Sequence, residues 1–160
     1  MKVQRVYLDT SVLGGCFDTE FATWSNGLVT DFRNKALYPV LSTIVATELQ
    51  DAPSPVQAVY EELVTLGAEI LSVTEPAIEL ATVYQQRGIL TPKFYTDGLH
   101  IALATVAEVD IVVSWNFKHI VHFDKIRFFN AVNLERGYKP VSIHSPREVT
   151  YYGTHDDQSR

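Results

Sequence analysis

Three carboxylates taken from distant parts of the chain carry the strongest chemical signal. Asp9 ends the apolar run Val6-Tyr7-Leu8, Glu48 follows the strand-like run Tyr38-Pro39-Val40-Leu41-Ser42-Thr43-Ile44, and Asp97 opens a helical pattern through Leu99, Ile101, Ala102, Ala104 and Ala107. That helix leads into Val109-Asp110-Ile111-Val112-Val113 and then Ser114-Trp115-Asn116. Clustered carboxylates repel one another, and burying one unpaired costs several kcal/mol, so such a group normally persists with a cation. Oxygen ligands without Cys or closely spaced His favour Mg²⁺ or Mn²⁺ over Zn²⁺. Such ions activate water and stabilise a leaving oxygen during attack on a phosphodiester. Taken singly, each acid also has an ordinary reading: Asp9 as a helix cap, Glu48 as an exposed helical charge, Asp97 as a cap beside Thr96.

The elements that must position these acids alternate between strand-like and helical segments. Strand-like runs are Val3–Leu8, Tyr38–Ile44, Glu69–Val73, Val109–Val113 and the short Pro140–Ile143. Helical patterns cover 22–37, Val45–Leu49, Val56–Leu66, Glu75–Arg87, 97–107 and 123–136, with Gly67 and Gly88 as stop signals. Residues 116–121 form a loop or short helix. The strand runs are β-branched and do not alternate, which points to an α/β fold with a mainly parallel sheet of four or five strands. Working groups in such sheets gather at the carboxyl ends of the strands. Asp9, Glu48, Asp97 and Asn116 are therefore expected on one edge. A single domain over residues 1–149 and a polar, flexible tail over 150–160 complete the expected organisation.

Composition narrows the class. The chain has 160 residues, is 46% hydrophobic and 20% charged, and carries a net charge of −6. No stretch approaches the roughly 20 apolar residues of a membrane span, and the start lacks the long apolar region of a signal peptide. The single cysteine, Cys16, excludes an intrachain disulfide, fits a reducing cytoplasm and reads as a small buried apolar residue. Residues 1–115 hold 14 acids and 6 bases, whereas residues 116–147 hold 6 bases and 2 acids. An acidic body with a basic later segment suits a protein that holds metal in one place and a polyanion in another; a solvated helical face is the simpler reading of that segment.

The ordered set Val6-Tyr7-Leu8-Asp9-Thr10-Ser11-Val12, Ser42-Thr43-Ile44-Val45-Ala46-Thr47-Glu48-Leu49, Asp97-Gly98-Leu99-His100-Ile101-Ala102-Leu103-Ala104 and Ile111-Val112-Val113-Ser114-Trp115-Asn116 resembles the PIN-domain family. The likeness is to the VapC-like ribonuclease toxins of toxin–antitoxin pairs, and it spans roughly residues 3–149. It implies a three-layer α/β/α PIN-like fold, an acidic Mg²⁺ or Mn²⁺ site, cleavage of single-stranded RNA, a homodimer and an antitoxin partner whose tail inserts into the site. Asp9, Glu48 and Asp97 match the family's first three acidic positions. In that reading they bind metal and one helps deprotonate the attacking water. At the two later positions where many relatives place Asp, this chain has Asn116 and His119. Asn116 offers a carbonyl oxygen to the metal and Ser114 a hydroxyl, but neither supplies charge, so a second metal is expected to bind weakly.

Ser11, Ser114, Lys118 and His119 are the candidate substrate contacts, with Lys125 and Arg127 as further cations to steer RNA. Trp115 and Phe117 offer rings for base stacking, although aromatics beside a sheet edge more often pack. His119 and His122 are three residues apart but lack a second ligand pair for zinc. His100, one turn after Asp97, is a candidate for pairing with a neighbouring carboxylate. A phosphotransferase with an aspartate nucleophile needs an acid two residues after Asp9, where Ser11 stands. Neither a P-loop nor a Gly-rich dinucleotide motif is present. The substitution at Asn116 leaves one rival expectation, a PIN-like RNA- or protein-binding module with weakened turnover.

Overall fold

A computed structural model describes residues 2–152. Five strands, β1 (Arg5–Leu8), β2 (Tyr38–Ser42), β3 (Glu69–Leu71), β4 (Ile111–Val113) and β5 (Ser142–His144), form one sheet in the order β3-β2-β1-β4-β5. All four pairings are parallel. Around it lie α1 (Thr10–Gly15), α2 (Ala22–Arg33), α3 (Thr43–Glu48), α4 (Ser54–Thr65), α5 (Glu75–Gln86), α6 (Tyr95–Val106), α7 (Phe123–Glu135) and α8 (Pro146–Val149). Parallel strands require long crossovers, and helices supply them, which is why strand and helix alternate along the chain.

Successive side chains of a strand point to opposite faces. Tyr7, Val112 and Ile143 enter a core with Leu80, Tyr84, Ile101 and Phe129 from α5, α6 and α7. Val6, Leu8 and Val113 enter the other, with Leu13, Leu28, Phe32 and Leu63 from α1, α2 and α4. Because both faces are covered, the strands read as continuous apolar runs. The result is a three-layer α/β/α PIN-like fold, with the sheet wholly parallel and of five strands.

Element ends depart from the sequence expectations in ways that bear on the site. Val3 is exposed and β1 starts at Arg5. Ser42 ends β2 and caps α3, accepting a hydrogen bond from Val45 N, so the helix bearing Glu48 starts at Thr43. The 22–37 pattern ends at Arg33, where a turn places Lys35 at φ 60° before β2. A short 3-10 turn at Pro92–Phe94 leads into α6, so Asp97 lies inside its first turn and not at its cap. Residues 150–152 fall in the expected tail, yet Thr150 is buried and its Oγ1 donates to Asp31 on α2 at 2.6 Å, while Tyr151 N donates to the same carboxylate. That buried carboxylate needs donors, and the chain end supplies them. The rest of the expected tail, 153–160, lies outside the described residues.

Cys16 is buried, with its thiol pushed up to about 11 by burial. Among the described residues no helix is long and apolar enough to cross a membrane.

Candidate active site

β1 and β4 are neighbours, with Leu8 opposite Val113, so the residues that follow them, Asp9 and Ser114, are brought side by side. Asp9 occupies the N-cap position of α1 but makes no side-chain cap bond. Its carboxylate instead accepts from Ser11 Oγ at Oδ1 (2.6 Å) and from Ser114 Oγ at Oδ2 (2.7 Å). Each serine is itself aimed by the β4 exit: Trp115 N donates to Ser11 Oγ and Asn116 N to Ser114 Oγ, both at 2.9 Å. Gly15 allows this approach, since a Cβ there would stand 2.6 Å from Trp115 Nε1. Burial pushes the Asp9 carboxyl above its ordinary range and the charge of Asp97 adds to that; His100 and the two serine hydroxyls oppose it.

Glu48, the last residue of α3, accepts from Thr10 Oγ1 at 2.9 Å and contacts His100 Nε2 at 2.8 Å, both through Oε1. Partial burial alone would raise its carboxyl, but the hydrogen bond from His100, with that from Thr10, outweighs burial and holds it below the usual value. Asp97 faces His119, with Oδ2 3.4 Å from Nδ1. Burial raises the Asp97 carboxyl and the charge of Glu48 adds to it, against His119, His100 and the Asn116 side chain. Asp97 thus links the three, feeling the charge of Glu48 and lending its own to Asp9. Among the described residues, every carboxylate paired with a Lys or Arg lies elsewhere: Asp110, Glu69, Glu62, Glu135 and Asp124.

The other expected residues fall into two groups. Ser11, Ser114, Asn116 and His119 are in the cluster, although the Asn116 carbonyl accepts from the backbone N–H groups of Lys118 and His119. Its oxygen therefore closes its own turn. His119 also stacks on Phe94 at 3.7 Å between ring centroids. Lys118 and Phe117 are exposed beside them. By contrast Trp115 is a core residue, stacked on Phe21 at 4.1 Å and donating to Ser25 Oγ. Lys125 donates to the Ile89 carbonyl, and Arg127 lies over Phe123 beside Asp124. His122 stands at the N-cap of α7. Sequence reasoning missed Thr10, Phe94, Tyr7 and Ser42; the one available signal was a histidine one turn from Asp97 on an apolar helix.

A hard divalent cation suits this donor set chemically: three carboxylates with no ammonium or guanidinium partner among the described residues. As arranged here, each carboxylate is turned to its own hydroxyl or imidazole partner, and no group of three or more His, Cys, Asp or Glu converges to hold an ion among the described residues.

No protein-family model and no curated protein matches the chain. Solved structures do. A chain of the VapBC2 complex of Rickettsia felis, crystallised with a DNA fragment from their promoter, superposes with a TM-score of 0.55 at 17% identity, covering 89% of this chain and 98% of that one. A chain of a toxin–antitoxin complex from Klebsiella pneumoniae gives a TM-score of 0.52 at 15% identity, covering 71% and 88%. At these identities the likeness establishes the fold. The PIN-like architecture resembled by the sequence is thus also that of chains found in toxin–antitoxin complexes.

Proposed function

We propose that this protein is a Mg²⁺- or Mn²⁺-dependent endoribonuclease that hydrolyses phosphodiester bonds of single-stranded RNA and serves as the toxin of a toxin–antitoxin pair. The observation that carries the reading is an edge of three carboxylates, Asp97 feeling the charge of Glu48 and Asp9 that of Asp97, without a Lys or Arg partner among the described residues. The fold it shares with chains of toxin–antitoxin complexes supports it further. Asp9, Glu48 and Asp97 would hold the cation, with Asn116 beside them; when bound, it supplies charge stabilisation and a more acidic water.

The chain's own residues do the rest. The two serines keep Asp9 fixed under the β4 exit. Asp97, raised in pKa and partly open, is the carboxylate suited to take a proton from attacking water. Lys118 and His119 lie where an RNA phosphate would pass, and the exposed Phe117 ring offers a surface for a base. An antitoxin partner, a homodimer and a cytoplasmic setting belong to the same proposal.

Asn116 favours a second reading, a binding module with weakened turnover, because its carbonyl is engaged in the local turn. The purified protein incubated with unstructured RNA and Mn²⁺, beside Asp97→Asn, separates the two. Cleavage by the parent alone supports the nuclease. Equal background from both, with RNA still bound, overturns it.

A further inference from the structure

His100 is only 2% exposed, yet both ring nitrogens are engaged. Nε2 meets Glu48 Oε1 at 2.8 Å and Nδ1 meets the Tyr7 hydroxyl at 2.6 Å. Tyr7, also buried, reaches Ser42 Oγ at 2.8 Å, and Ser42 Oγ accepts from Val45 N. The line thus begins at the cap of α3, crosses β1 and α6, and returns to Glu48 at the far end of α3.

Proton accounting gives the line a direction. If Ser42 donates to Tyr7, Tyr7 donates to Nδ1, and Nε2–H donates to Glu48, then every buried proton has an acceptor and the ring is neutral. In the reverse order Ser42 Oγ accepts twice and its own proton has no partner in the line, a costly state for a side chain that is fully buried. Both bonds to Glu48 fall on Oε1, and no hydrogen bond reaches Oε2 among the described residues.

We infer that His100 is a positioning residue: anchored by Tyr7 and Ser42 as the Nε2–H tautomer, it holds Glu48 by Oε1 and keeps Oε2 available to a divalent cation. This rests on the reading above that Glu48 serves such a cation. A donor that orients a ligand in this way typically affects metal affinity by about 10- to 100-fold.

The test measures Mn²⁺ affinity by the loss of the free-ion electron paramagnetic resonance signal, with imidazole ¹⁵N NMR for the tautomer and melting temperature for folding. The parent is expected to show Nε2–H at His100. His100→Leu should bind Mn²⁺ at least about tenfold more weakly, and His100→Gln, whose amide N–H can replace Nε2–H, should recover most of that loss. Tyr7→Phe, which keeps the ring in place, should remove the tautomer preference and weaken binding by less than His100→Leu; this variant decides the matter if His100→Leu does not fold. An Nδ1–H tautomer in the parent, parent-like affinity in His100→Leu or, failing that, in Tyr7→Phe, or equal losses in the Leu and Gln variants would each overturn the inference. RNA cleavage separates it from the functional reading. Affinity that follows His100 without cleavage leaves the positioning role standing and removes the nuclease. Cleavage abolished by Asp97→Asn but untouched by His100→Leu does the opposite, and a parent that binds no Mn²⁺ removes both.

Discussion

At the amino ends of the strands, acids meet cations: Arg5 Nη2 lies 2.7 Å from Glu69, its Nη1 donates to the Ala107 and Glu108 carbonyls, and Asp110 takes the Arg5 N–H at 2.7 Å with Lys2 nearby. At the carboxyl ends, Asp9, Glu48 and Asp97 meet, among the described residues, only hydroxyls, an amide and imidazoles. The same sheet therefore has one edge whose charges are balanced and one whose charges are left to repel. Repulsion at the second edge is a stability cost that a bound cation would remove. This contrast is the physical difference between an edge that holds the fold and one available for chemistry.

The largest effect that tests the contrast is on rate. Asp97→Asn is expected to lower Mn²⁺-dependent RNA cleavage by at least about 100-fold, near 2.7 kcal/mol in the barrier, measured under single turnover. Next comes the balanced edge. Arg5→Ala leaves Glu69 and two carbonyls without their donor and should destabilise the protein by about 2 kcal/mol in urea denaturation.

The unbalanced edge should respond with the opposite sign. Asp9→Asn is expected to stabilise the metal-free protein at pH 7 by about 0.5–2 kcal/mol, the range typical when a functional site is relieved. The sign follows from its raised carboxyl. Protonated Asp9 suits the folded state, so the parent's stability from this group is complete below the ordinary value of 3.8 and is lost as pH rises through the raised folded value. The advantage of the variant should therefore vanish in acid and grow towards neutrality. Asp97→Asn should follow the same trend, because its carboxyl is also raised.

The smallest effect distinguishes the acids within that edge. Glu48 is held below its ordinary value of 4.5, so it adds stability above that pH and loses it as pH falls through the lowered folded value. Glu48→Gln should accordingly melt slightly lower than the parent at pH 7, and the two curves should meet in acid. A variant that melts higher at pH 7 would place Glu48 with the repelling pair.

Much of this was legible because it is local. Apolar runs without alternation marked strands covered on both faces, and an acid closing a run, as Asp9 does, marked a strand end. The helix carrying Asp97 was legible from its periodicity, but its start was not, because the Pro92–Phe94 turn added a segment ahead of it. Partners were the least legible part. Ser114 stands against Asp9 only because β4 pairs with β1, and Tyr7 reads as core until its hydroxyl is seen against His100 and Ser42. The Asn116 turn is different in kind. Its bonds to residues two and three positions on are a familiar habit of Asn, and attention to charge at that position hid it.

The sheet order has a consequence for how the protein is made. β1 precedes the other four strands of the sheet in the chain and lies at its centre, and one of its two neighbours, β4, is made long after it. Ser114, which holds Asp9, lies 105 residues further along. A chain emerging from the ribosome therefore carries Asp9 and Glu48 well before it has β4, whereas Asp97 arrives just ahead of that strand. The first two acids and the strand that completes their edge are thus separated in time by a long stretch of the chain's synthesis.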